Sequence, residues 1–117
     1  MNGYVRTLGS AALLLSAAVG AHTHLLRSVP SDGSVATAAP RQLQLDFSEA
    51  AALTALSIQK NGEANPIPLA PVSRQPATKF SIDLPPLATG SYRVNWRVLS
   101  DDHHIASGSF RFSVQAR

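Results

Sequence analysis

Four histidines are the side chains in this sequence best suited to chemistry near neutral pH, and they come in two pairs. His22 and His24 sit in AHTHLL, residues 21–26. His103 and His104 sit in SDDHHIASG, residues 100–108. Exposed loop histidines without a role are the plain alternative. The acidic neighbours argue for more. In an extended segment Asp102 and His104 point the same way, while Asp101 and His103 point the other way. A carboxylate and an imidazole on one face can share a metal ion. His22 can complete such a site if the first strand lies beside this loop. The chain has no cysteine, which removes thiolate chemistry and soft zinc or iron–sulfur sites.

His22 gains weight from what precedes it. MNGYVRTLGSAALLLSAAVGA carries Arg6, an apolar run from Leu8 to Val19, and a small-residue ending, Val-Gly-Ala. This pattern is expected of a secretion signal over residues 1–21, and the run is short of the ~20 residues a bilayer span needs. An uncleaved anchor or a core helix is the alternative. Cleavage after Ala21 makes His22 the first mature residue, with an amine and an imidazole on one residue. Cleavage after Gly20 would put Ala21 in front.

Taking residues 1–21 from the 117 leaves 96, enough for one domain, residues 22–117. Loss of Arg6 lowers the formal charge from +3 to +2. The remaining Lys and Arg residues are scattered, so no nucleic-acid partner is expected. No membrane span is expected after the signal. A secreted domain without disulfides depends on its core, and 44% hydrophobic residues can build one.

The elements that must position the histidines read as strands. Leu43, Leu45 and Phe47 alternate in RQLQLDFSE. Leu56 and Ile58 alternate in TALSIQK, ahead of the turn signal Asn61-Gly62. Phe80, Ile82 and Leu84 alternate next. Tyr92, Val94, Trp96 and Val98 follow, then Phe110, Phe112 and Val114. HLLRSV adds an edge strand closed by a turn at Pro30 to Gly33. The proline-rich NPIPLAPVSRQPA is an edge or a loop. LATGSY predicts a tyrosine corner, and Trp96 a core anchor. The expected class is all-β, a single-domain sandwich or small barrel of about seven strands.

Three blocks, HTHLLRSVPSDGS, LQLDFSEA and LATGSYRVNWRVLSDDHHIASGSFRFSV, resemble the CopC-like periplasmic copper-resistance family, and they cover nearly all of the mature chain. The last is the most specific, with Tyr-x-Val-x-Trp-Arg, Ser-x-Asp-x-His and Ser-Gly-Ser-x-x-Phe. The resemblance implies a Greek-key β-barrel or sandwich (Ig-like or cupredoxin-like) that binds one Cu(II) at one end. It implies the His22 amine and ring, Asp102 and His104 as ligands, with Glu49 as a further candidate. It also implies a periplasmic copper buffer or carrier serving an inner-membrane, CopD-like copper transporter. Cu(II) suits such nitrogen and oxygen donors in tetragonal geometry.

The chain departs from the family's pattern in four places. Its one methionine, Met1, lies in the signal, so a methionine-rich Cu(I) site is excluded. Ile105 stands where proline is common, and His103 where a small or polar residue is usual. His24 offers another mode, in which a free amine, backbone amides and its ring hold Cu(II) in a square plane. Three functions compete: a non-catalytic copper carrier or buffer, a copper oxidase with a histidine brace, and a β-sandwich adhesion module with incidental histidines. Only 96 residues with a single Trp leave little room for the polymer-binding surface of such an oxidase.

Overall fold

The structure is a computed structural model that describes residues 23–69 and 73–115. Every regular element in it is a strand. These are β1 (Leu25–Val29), β2 (Ser34–Ala36), β3 (Gln42–Lys60), β4 (Ile67–Pro68), β5 (Ser73–Asp83), β6 (Gly90–Ser100) and β7 (Ile105–Val114). The expected signal, residues 1–21, and His22 lie outside the described residues.

The 19-residue β3 organises the fold. Its first part runs antiparallel between β1 and β5, so that Leu45 pairs with both Ser28 and Phe80. Its second part pairs with β6, from Ala51 opposite Ser100 to Lys60 opposite Tyr92, and with the short β4. Antiparallel β7 follows β6, and β2 lies parallel to the end of β7. The order β1-β3-β6-β7-β2, with β5 also on β3, curls one sheet into a sandwich-like barrel.

The two alternating stretches expected as separate strands are halves of β3. Burial falls on Leu43, Leu45 and Phe47, then on Ala51 and Leu53, then on Leu56 and Ile58. The inward phase therefore slips by one residue after Leu53, where the β3–β6 register shifts between Leu53 and Ala55. Such an irregularity re-aims side chains and bends a strand without ending it. The short β2 and β4 make up the seven. β5 contains Pro76, which an edge strand paired only with β3 tolerates.

The core is formed by the inward rows of β3, β6 and β7 with Ile82 of β5. Trp96 meets Phe47 edge-on, with ring centroids 5.2 Å apart. Its indole lies against Gly108, its register partner on β7, where a Cβ would fall 2.6 Å from Cζ2. The tyrosine corner is present: the Tyr92 hydroxyl donates to the Ala88 carbonyl at 2.6 Å. Among the described residues, no helix is long and apolar enough to cross a membrane.

Candidate metal centre

β6 ends at Ser100 and β7 begins at Ile105, so Asp101 to His104 turn the chain between them. His103 N–H donates to the Ser100 carbonyl at 2.9 Å, and Ser100 N–H donates to the His104 carbonyl at 2.9 Å. His103 has a φ of 68°. This is the three-residue hairpin loop in which a turn is followed by a left-handed residue, the position usually given to glycine. The segment is therefore a tight turn, not the extended run expected from alternation.

The turn nevertheless brings Asp102 and His104 together, with Asp102 Oδ2 3.0 Å from His104 Nδ1. The buried Ser100 organises both. Its hydroxyl donates to Asp102 Oδ1, lies 3.2 Å from the His104 carbonyl oxygen, and accepts from the His104 N–H at 3.3 Å. The Ser100 bond and then the His104 contact hold the Asp102 carboxyl below its usual range. An anionic carboxylate touching an imidazole is a donor pair of the kind Cu(II) takes. Both side chains are about half exposed or more, 51% and 61%, so an incoming ion can reach them.

The first strand starts at the same end. His24 N–H donates to Ser48 Oγ at 2.9 Å, and the His24 carbonyl accepts from Ser48 N–H at 2.8 Å. Three residues beyond Ser48, Ala51 pairs with Ser100. β1 is thus fastened by its first residues close to the β6–β7 turn, and Thr23 is already buried. Glu49, next to Ser48, is exposed. Among the described residues, no three His, Asp or Glu side chains gather closely enough to hold an ion together. The structure joins Asp102 to His104 and leaves Glu49, His24 and His103 outside that contact. The square-planar mode through the first backbone amides would have to break the His24–Ser48 bond, which weighs against it.

Sequence reasoning missed Ser100 and Ser48. Both are small polar residues closing or kinking a strand, where hydroxyls commonly bond to nearby backbone. Ser100 also opens the Ser-x-Asp-x-His motif and Ser48 lies in LQLDFSEA, but neither pattern says what the hydroxyl binds.

Comparison with known proteins bears on this geometry. A family model described as the CopC domain matches residues 25–115. Copper resistance protein C of Pseudomonas syringae pv. tomato is 36% identical over 118 residues, covering 93% of each chain. Copper resistance protein C of Escherichia coli is 36% identical over 105 residues, covering 81% of this chain and 82% of that one. The crystal structure of CopC from Methylosinus trichosporium OB3b superposes with a TM-score of 0.69 at 28% identity, covering 82% of this chain and 96% of that one. PcoC, a methionine-rich copper resistance protein from Escherichia coli, gives 0.59 at 35% identity, covering 81% and 100%. With the match running through the whole described barrel, the chain belongs to the CopC family of copper resistance proteins.

Proposed function

We propose that this protein is a periplasmic Cu(II) buffer or carrier that binds one ion per chain and catalyses nothing. The ligands are the His22 amine and imidazole, Asp102 and His104, with Glu49 and His24 as outer candidates. The observation that carries the reading is the Asp102–His104 pair, fixed by Ser100 at the end of the barrel where β1 begins. An amine and imidazole on one residue form a chelate, so the second donor arrives at little entropic cost. The amine must lose a proton to bind, and a free α-amine titrates near ~7.7–8.0, so affinity falls as pH drops. The copper is cargo, passed to an inner-membrane transporter of the CopD-like kind.

Mass spectrometry of the exported protein with and without Cu(II) tests this directly. We expect a chain that starts at His22 and carries one copper. Asp102→Ala and His104→Ala should each weaken binding at least about tenfold, or ~1.4 kcal/mol. His103→Ala should change it little. One extra residue before His22 should cost a similar factor by breaking the chelate. Unchanged affinity in the extended protein, or equal losses from His103 and His104, would overturn this ligand set.

A further inference from the structure

We propose that the outer face of β6 and β7, at the end of the barrel away from Asp102 and His104, binds a phosphate-like oxyanion: a tetrahedral group of about two negative charges, free or on a small ester. Its floor is the register pair Arg93 and Arg111, with Ser91 and Ser113 beside them. A cavity of about 550 Å³ opens there, walled by the turn at residues 61–63 on one side and by Gly33 and Ser34 on the other. Arg93 stands seven residues before Ser100 on β6, about 23 Å at ~3.3 Å per residue, so this place is separate from the metal centre.

Strand alternation and pairing place four donors together. Tyr92, Val94, Phe110 and Phe112 are buried, so Arg93 and Arg111 project to the opposite, solvent face. The Arg111 N–H donates to Asp32 Oδ1 at 3.0 Å and its carbonyl accepts from Gly33 N–H at 2.7 Å, both away from β6. The Ser91 carbonyl accepts from Asn61 N–H at 2.8 Å, away from β7, and Arg93 two residues on turns its backbone the same way. Arg93 and Arg111 therefore share no backbone hydrogen bond, and in such a pair the opposite side chains stand closest. Ser91 and Ser113 form the next pair of this kind, with their Oγ atoms 3.2 Å apart. Two hydroxyls so joined use one proton between them and leave the other for a ligand.

This arrangement carries a repulsion that an anion would remove. Like charges directly opposite one another destabilise a strand pair. β6 and β7 contain no Asp or Glu. Among the described residues the carboxylates in ion pairs are Asp46 and Asp102, so neither guanidinium meets one. Asp32 gives its Oδ1 to the Arg111 backbone. Glu63, on the cavity wall, belongs to the turn that Gln59 Nε2 fastens by donating to the Glu63 carbonyl at 2.8 Å. Lys60 also lines the cavity, but it pairs with the buried Tyr92 and its side chain lies against Gly90.

The donors select the ligand. Each guanidinium presents a planar fork that matches two oxygens of an oxyanion. A monocarboxylate fills one fork and balances one charge. A phosphate group, with three acceptor oxygens and about 1.5–2 negative charges near neutral pH, serves both forks and a serine hydroxyl.

The test titrates the copper-free exported protein with inorganic phosphate, sulfate and acetate at constant ionic strength, following arginine Nε–H resonances by NMR. Phosphate and sulfate should shift those of Arg93 and Arg111 saturably, as one site, and acetate should bind at least about tenfold more weakly. Arg93→Gln and Arg111→Gln should each weaken phosphate at least about tenfold, the loss expected of a hydrogen bond to a charged group. Arg93→Lys should lose most of that affinity too, because a point charge replaces the fork. Arg97→Gln, which removes an equal charge from the same face of β6, should change it little. Shifts that never saturate, acetate binding as well as phosphate, or equal losses from Arg97 and Arg93 would each overturn the proposal and leave a diffuse positive surface. Binding to phosphatidylglycerol vesicles but not to free phosphate would overturn it as well, because the face would then dock on a membrane.

Discussion

His103 holds a φ of 68°, a conformation that asparagine and glycine adopt readily and β-branched residues do not. His103→Asn should leave the fold unchanged, while His103→Val should cost roughly 1–2 kcal/mol, the order of the left-handed penalty. Urea denaturation of both variants checks this, and equal stability would mean that the turn can be remade without a left-handed residue. Copper affinity should survive in the asparagine variant, since His103 stands outside the Asp102–His104 contact. The pairing of Asp102 with His104 was legible in their spacing, but the cause was not. Alternation assumed an extended segment, and the pair is instead made by a turn closed on Ser100. Nothing in SDDHH says that its fourth residue is left-handed, because that position usually advertises itself as glycine or asparagine.

At the scale of elements, two cross-strand arrangements lend themselves to test. Gly108 on β7 gives Trp96 of β6 room to lie flat, and an added Cβ would meet the ring 2.6 Å away. The indole is buried among Phe47 and its neighbours and has little freedom to retreat. Gly108→Ala should therefore destabilise by about 1–3 kcal/mol through overpacking. A thermal midpoint equal to that of the parent protein would show that the core yields there. Asp46 ties three strands together: its Oδ2 accepts from Arg27 Nε of β1 at 2.9 Å and from Lys79 Nζ of β5 at 3.2 Å. The bonds from Arg27 and then Lys79 hold its carboxyl below the ordinary value of 3.8. A lowered folded pKa means that the stabilisation is complete above 3.8 and is lost as pH falls through the lower folded value. The stability gap between parent and Asp46→Asn should be small, steady from pH 7 to about 4, and should close below that. It should also shrink in high salt, because the partners are exposed. A gap that widens at low pH would contradict the ion-pair account. β6, β7 and the two halves of β3 were legible because one face of each is buried and alternates with a more exposed one. The continuity of β3 was not, because the slip between Leu53 and Leu56 breaks the period of two and reads as the end of a strand. The tyrosine corner was legible because Tyr92 stands at the start of its strand with a turn just behind it.

At the scale of the whole molecule, this chain keeps the barrel of its relatives without the methionines for which one of them is described. The Escherichia coli relative PcoC is described as methionine-rich, whereas this sequence has no cysteine and a single methionine, Met1. The proposed donors are an amine, imidazoles and a carboxylate, all harder than thioether or thiolate, and such donors favour Cu(II) over Cu(I). The metal end is also a property of the assembled barrel: β3 holds the start of β1 at Ser48 and the β6–β7 turn at Ala51, and no local pattern in either segment announces that. Reduction should therefore loosen the ion at an end of the molecule that is already half exposed. We expect competition titrations of the exported protein to give a Cu(I) affinity well below the Cu(II) affinity. Ascorbate together with a Cu(I) chelator should strip the metal that the chelator alone leaves in place. A carrier built this way would release its cargo on reduction, without any change in the strands that hold the ligands. A Cu(I) affinity equal to or above that for Cu(II) would overturn the donor set, and would point instead to a two-coordinate site made from the histidines, with His24 and His103 among them.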